Sequence, residues 1–328
     1  MRRSTKCKLR AIRNVLMLRN VAWARRLANT AVHPNEVVVV GRGSQVYLPK
    51  LQVRLSAEDD LFLLRHYPLA LSLVEKAGAG FHRASDGQLF VHVANVRAAV
   101  HNGDELCMLK EIFLYHIYNL QRPEPVVVLD IGMNVGLAAL YFAATLPDVN
   151  VIGYEPISDT YEMALRNFAL NPDLAKRIRS FNAGIGGANS TVDAYYVSEL
   201  HGSSGLFPLP SDSPHFSNQA KRQVQLRSAP EVLDEVLREF PGRTVVAKID
   251  CEGAEYAIIR ALSSSRKLQN LSCVIMEWHK RAPDHNPQEI VEELKEAGFT
   301  VFLTVASDSS TGMMYAVQHR PRSHETSR

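Results

Sequence analysis

Over the second two thirds of the chain, hydrophobic positions fall into a short-long rhythm. The runs 126-VVVLDIG-132, 149-VNVIGYEP-156, 178-IRSFNAGIG-186, 244-TVVAKID-250 and 273-CVIMEWH-279 are short, β-branched and nearly continuous in apolar residues, as strands buried on both faces must be. Between them, 136-GLAALYFAATL-146, 158-SDTYEMALRNFALN-171, 230-PEVLDEVLREF-240, 254-AEYAIIRAL-262 and 287-PQEIVEELKEAGF-299 repeat apolar residues at helical spacing. Strand and helix in alternation predict an α/β fold with a doubly wound, mostly parallel sheet. The last two runs, 300-TVFLTV-305 and 313-MMYAVQH-319, are joined only by 306-ASDSSTG-312. That link is too short for a parallel crossover, so the pair is predicted to be antiparallel. The stretch 199-ELHGSSGLFPLPSDSPHFSNQAKR-222 shows little periodicity and is predicted to be a long covering loop.

Upstream, the short runs 36-EVVVV-40, 46-VYL-48 and 89-LFVHVANV-96 mix with helical patterns at 58–77 and 105–120. This predicts an accessory α/β or α+β region over 36–120, ended by the prolines of 121-QRPEP-125, which forbid a continuing helix. The main domain is then expected over 121–320, with a polar tail at 321–328.

Charge changes the picture at one end only. The 328-residue chain carries a formal net charge of +3, yet Arg2, Arg3, Lys6, Lys8, Arg10, Arg13, Arg19, Arg25 and Arg26 precede the first acid, Glu36. The remainder is net acidic, which argues against a nucleic-acid partner. Residues 1–35 read as a basic tail able to touch a surface, with a mitochondrial targeting segment as the alternative to a cytoplasmic protein. Four cysteines without a C-x-x-C pair give neither a zinc site nor a disulfide framework. No apolar stretch reaches the length of a membrane helix.

The candidate chemistry begins where the first strand of the main domain meets its helix. Asp130, Gly132, Asn134 and Gly136 stand there, at the strand end where open α/β sheets bind ligands. A dinucleotide fingerprint needs glycines where Asp130 and Asn134 stand, and a carboxylate there repels a pyrophosphate. This disfavours the alternative of a nucleotide-binding dehydrogenase. A ligand with an ammonium group and a ribose but no phosphate fits better, and S-adenosylmethionine has those features. Glu155, ending the next strand, is placed to accept both ribose hydroxyls, with Asn182 and Ala183 beside the adenine.

The motifs 129-LDIGMNVG-136, 154-YEP-156, 167-NFALN-171, 247-AKIDCEGAE-255 and 277-EWH-279 occur in that order. Through them the chain resembles the FkbM family of class I S-adenosylmethionine-dependent methyltransferases, over roughly residues 120–320. The resemblance implies a Rossmann-like seven-stranded sheet of order 3-2-1-4-5-7-6 with its last strand antiparallel. It also implies S-adenosylmethionine as donor and an oxygen acceptor on a sugar, glycan or small natural product. Cys251 replaces the aliphatic residue common at its position in the family.

Methyl transfer to a hydroxyl requires a group that removes the acceptor's proton. Asp250 is the first candidate, for catalysis and at the cofactor, with Lys248 on the same strand face. Glu277 and His279 end the fifth strand on one side, and His279 is a candidate general base. Glu252 and Glu255 can instead cap helix N–H groups, Trp278 is expected to pack, and no metal is expected. His201, Ser203 and Ser204 are candidate acceptor contacts on the covering loop. An RNA-directed protein using the basic tail is the remaining alternative, without support from a base-binding motif after the fourth strand.

Overall fold

The computed structural model describes residue 18 and residues 20–28, 30–56, 62–122, 124–198, 201–209, 211–213, 215–304 and 310–318. The chain divides into two compact units, Met1–Ile117 and Tyr118–Arg328. Tyr118, read from sequence as part of a helix of the accessory region, opens the second unit.

In the first unit, two three-stranded antiparallel sheets are built from Val38–Val40, Gln45–Leu48 and Val53–Ser56, and from Gly80–Arg83, Leu89–Val93 and Val96–Val100. The helix expected over 105–120 is shorter, Gly103–Phe113, capped at its start by the Asn102 side chain. In the 58–77 segment the described helices are Phe62–Arg65 and Tyr67–Ala77, interrupted at His66. Most of the expected basic tail, residues 1–17, lies outside the described residues, as does the polar tail at 321–328. Residues Val21–Leu27 are not a solvated tail: they form a helix that buries Trp23, Ala24 and Leu27. Among the described residues no helix is long and apolar enough to cross a membrane.

The second unit is organised by one sheet. Its elements are β1 (Val126–Ile131), α1 (Leu137–Thr145), β2 (Val149–Tyr154), α2 (Ser158–Ala169), β3 (Ile178–Phe181), β4 (Gly184–Gly186), β5 (Ser190–Tyr196), β6 (Ala220–Ser228), α3 (Ala229–Glu239), β7 (Thr244–Ile249), α4 (Glu255–Ser264), β8 (Cys273–His279), α5 (Pro287–Glu296), β9 (Phe299–Leu303) and β10 (Thr311–Gln318). The large sheet runs β9-β10-β8-β7-β1-β2-β3. All neighbours are parallel except β10, which is antiparallel to both β8 and β9. This is the seven-stranded, Rossmann-like order 3-2-1-4-5-7-6 with the last strand reversed.

Strands β1 and β7 are buried at every position, because both faces of the sheet are covered by helices. Alternate residues Val127, Leu129, Ile131, Val245, Ala247 and Ile249 share one core cluster with α3, α4 and α5. Strand alternation therefore puts Asp130 and Lys248 on the opposite face. Their register makes them direct cross-strand partners.

Two segments depart from the sequence reading. The single strand expected over 178–186 is two: β3 stays in the large sheet, while β4 leaves it for a small sheet of order β4-β6-β5. The long loop is also shorter than 199–222, because β6 begins at Ala220. Val224, Leu226 and Ser228 of β6 are buried while its first four residues are not, so the ladder of β5 and β6 carries the loop between them outward from the sheet.

Candidate functional site

Three strand ends and the covering loop enclose a cavity at the carboxyl edge of the sheet. It holds about 580 Å³ of empty space, its open mouth included. Gly132 and Asn134 after β1, Glu155 and Pro156 after β2, and Asp250, Cys251 and Glu252 after β7 line it, with Gly184 and Ile185 of β4. Gly202, Ser204, Gly205 and Leu206 of the loop complete the wall.

The turn after β1 explains its glycine. Gly132 has φ +74°, and a Cβ there would stand 1.7 Å from the Asp250 carbonyl oxygen, so no side chain fits. The backbone itself locks the neighbouring ends: Gly132 and Met133 N–H groups donate to Tyr154 O, and Asp250 N–H donates to Ile131 O. Asn134 also has positive φ, 52°. Its N–H donates to Glu155 Oε2 at 2.9 Å, while Ile157 N–H donates to Glu155 Oε1 at 2.9 Å. Glu155 is thus held on both oxygens at the cavity wall. Burial pushes its carboxyl up to about 7 although those two N–H groups pull it down.

Asp130 does other work than expected. It is fully buried and is absent from the cavity lining. Lys248 Nζ pairs with Asp130 at 3.1 Å and with Asp250 at 3.7 Å, and donates to Gly132 O at 2.6 Å. Burial works against the Lys248 charge, but Asp130 and Asp250 outweigh it and hold the ammonium above its usual range. The acid at the end of β1 therefore anchors the lysine that ties the turn to β7, and its charge does not face the ligand. Gly136, with φ +81°, packs against Phe168 and likewise sits behind the wall.

Asn182 and Ala183 do not line the cavity either. Asn182 Nδ2 donates to the Glu155 and Pro156 carbonyls at 3.0 and 3.2 Å, which fixes the chain after β2. Gly184 and Ile185, just beyond, provide the wall there, because the chain turns out of the large sheet between β3 and β4.

Asp250 lines the cavity with its side chain 26% exposed. Its Oδ2 accepts a hydrogen bond from the Tyr118 hydroxyl at 3.1 Å, a contact 132 residues apart in sequence that no local pattern announces. Glu255, the first residue of α4, accepts from Cys251 N–H at 3.1 Å and Gly253 N–H at 2.8 Å, so it satisfies the turn before the helix. Glu252 does not cap. It takes positive φ, 53°, and pairs with Arg281. Burial raises its carboxyl above the usual range despite that pairing.

His279 is buried among acids. Its Nδ1 lies 3.0 Å from Glu255, and Nε2 lies 3.5 Å from Glu252 and 3.7 Å from Glu277. Burial works to lower its pKa, but the Glu255 hydrogen bond and the charges of Glu252 and Glu255 raise it to about 9. The surrounding carboxylates favour its imidazolium form, which does not suit the part of general base expected from sequence. Glu277 accepts from Thr311 Oγ1 at 2.9 Å. Asp250, Glu277 and His279 each offer a ligand atom within 4.8 Å of the others. A divalent ion can use this set only with the imidazole neutral.

The loop closes over the turn after β7. Gly205 exchanges two backbone hydrogen bonds with Tyr195 of β5, and Ser204 Oγ accepts from Val197 N–H at 3.1 Å. A Cβ on Gly205 would come within 2.6 Å of Glu252 Cβ, and one on Gly253 within 2.7 Å of the Phe207 ring. Of the loop residues singled out from sequence, Ser204 lines the cavity and Ser203 does not; the side chain of His201 lies outside the described residues. Trp278 is buried in the core cluster, as packing requires.

Comparison with known proteins finds relatives of this chain. The family model described as the methyltransferase FkbM domain matches residues 130–301. The chain is 26% identical over 217 residues to "Methyltransferase sdnD" of Sordaria araneosa, covering 58% of this chain and 81% of that protein. It is 26% identical over 154 residues to "AMB antimetabolite synthetase AmbE" of Pseudomonas aeruginosa, covering 43% of this chain and 7% of that protein. Among solved structures, "Methyltransferase FkbM from Methylobacillus flagellatus" aligns at 15% identity and a TM-score of 0.34, over 79% of this chain and 61% of that one.

Proposed function

Because the chain belongs to the FkbM methyltransferase family, we propose that it methylates a hydroxyl on a neutral acceptor, with S-adenosylmethionine as donor. The acceptor class is a sugar, a glycan or a small natural product. The observation that carries the reading is the charge of the cavity: Glu155, Asp250 and Glu252 line it, and among the described residues no Lys, Arg or His does. Each nearby cation faces carboxylates, Lys248 those of Asp130 and Asp250, Arg281 that of Glu252, and His279 those of Glu252, Glu255 and Glu277. Such a wall attracts a cation and repels phosphates and carboxylates.

The residues fit the donor. Glu155, fixed on both oxygens by backbone N–H groups, retains lone pairs for the ribose hydroxyls. Gly184 and Ile185 offer backbone and an apolar side chain to the adenine edge, and the turn after β1 brings Gly132 and Asn134 to the wall. When bound, the donor supplies a methyl group activated by a positively charged sulfur. Asp250 then takes the acceptor's proton on its carboxylate; a positioned base of this kind contributes about 10²–10⁴-fold. Gly202, Ser204, Gly205 and Leu206 of the loop line the cavity, a cover of the kind that limits the access of water to a reaction.

The test is transfer of label from [methyl-³H]S-adenosylmethionine to a panel of methyl glycosides, phenols, sugar phosphates and amines. Label in the neutral hydroxyl compounds supports the reading. Label confined to the phosphates, or to the amines, contradicts it.

A further inference from the structure

We infer that Tyr118 is a positioning residue for Asp250, holding one carboxylate oxygen so that the other is left for the acceptor's proton. This deepens the reading just given and rests on Asp250 as the proton acceptor.

The geometry is one-sided. The Tyr118 hydroxyl donates to Asp250 Oδ2 at 3.1 Å, and Lys248 Nζ stands 3.7 Å from the same oxygen. Among the described residues, no hydrogen bond reaches Oδ1. A carboxylate free at both oxygens samples rotation about its Cβ–Cγ bond, whereas one pinned at Oδ2 presents Oδ1 in a fixed direction. The acceptor's O–H proton passes to Oδ1 while Tyr118 keeps its own.

Tyr118 is built to stay in place. It is buried, its ring stands 6.0 Å from that of Phe142, and Lys248 Nζ lies 5.5 Å from the ring centre. Burial, reinforced by the charges of Asp250, Glu277 and Asp130, pushes its phenol well above the usual range, so it remains a donor wherever the enzyme works. Lys248 thus touches both partners of the hydrogen bond and, through Gly132 O, the turn that bears the cavity wall. The tyrosine precedes β1; its sequence pattern places it in a helix over 105–120, whereas the helix ends at Phe113, so the pattern gives no sign of its contact with Asp250.

The experiment is NMR of the full chain labelled with ¹³Cγ-aspartate, with Asp250→Asn used to assign the Asp250 signal. Loss of the donor on Oδ2 should move the Asp250 ¹³Cγ chemical shift in Tyr118→Phe. Labelling the wild type with ¹³Cζ-tyrosine gives the reciprocal view without any substitution at Tyr118: the Tyr118 signal should move in Asp250→Asn. With the methyl glycosides as probe, Tyr118→Phe should lower kcat about 10- to 100-fold while S-adenosylhomocysteine binds unchanged. Coincident Asp250 shifts in the wild type and Tyr118→Phe, or a Tyr118 signal indifferent to Asp250, would overturn the inference. So would loss of S-adenosylhomocysteine binding in parallel with kcat, which marks a merely structural tyrosine. Wild-type turnover in Asp250→Asn would instead remove Asp250 as the proton acceptor, and the shifts would then report a hydrogen bond without a role in turnover.

Discussion

Asp130 and Glu155 end neighbouring strands and carry the same charge, yet burial gives them different work. Asp130 faces Lys248 with no exposure to solvent. Asp130→Ala leaves a buried ammonium without its main partner and should cost about 3–5 kcal/mol of stability, measured by urea unfolding. Glu155→Gln keeps the side-chain size at the cavity wall, so the fold should survive while affinity for S-adenosylhomocysteine falls at least roughly tenfold in calorimetry. For Asp250→Asn, binding should persist and turnover should fall about 100-fold or more. His279 supplies the pH dependence. Its pKa is raised from 6.5 to about 9, so its contribution to stability is fully present below pH 6.5 and disappears as pH rises through 9. The shift corresponds to about 3 kcal/mol, and thermal melts should fall across that window in the wild type but much less in His279→Gln. At this scale the sequence made the acids at the strand ends visible and concealed their partners. That Lys248 neutralises Asp130 depends on the register of β7 on β1, and the Tyr118 contact spans 132 residues; neither is a local property of the chain.

Among the elements, the strands of the large sheet were the most legible. Their continuous apolar runs need burial on both faces, and the short link between the last two strands leaves only an antiparallel pairing. The small sheet of β4, β5 and β6 is not legible because its strands are mixed: β6 reads AKRQVQLRS and buries only alternate residues near its end, while β4 continues β3 in apolar character. That sheet carries the loop that closes the cavity. At Gly205 the loop lies close against the turn, with no room for a Cβ beside Glu252. Gly205→Val should therefore hold the loop off the turn after β7, and stopped-flow dissociation of S-adenosylhomocysteine should be faster than in the wild type. An unchanged off-rate would show that the loop plays no part in retaining the ligand.

For the whole molecule, the net charge of +3 says little about the site, because the surplus of basic residues sits at the N-terminus and the cavity wall is acidic. The surplus of carboxylates around Asp250 raises the question of a divalent ion. The imidazolium of His279 already supplies a cation among Glu252, Glu255 and Glu277, so turnover should be unchanged by dialysis against EDTA. Loss of activity restored by Mg²⁺ or Mn²⁺ would assign Asp250, Glu277 and His279 to a metal instead. Above all, the cavity selects its ligand by charge. Isothermal titration of the full chain with S-adenosylmethionine and, separately, with NAD⁺ measures that choice directly. Saturable binding of S-adenosylmethionine, weakened in Glu155→Gln, with no heat from NAD⁺, is the predicted result; binding of NAD⁺ with none of S-adenosylmethionine would contradict it.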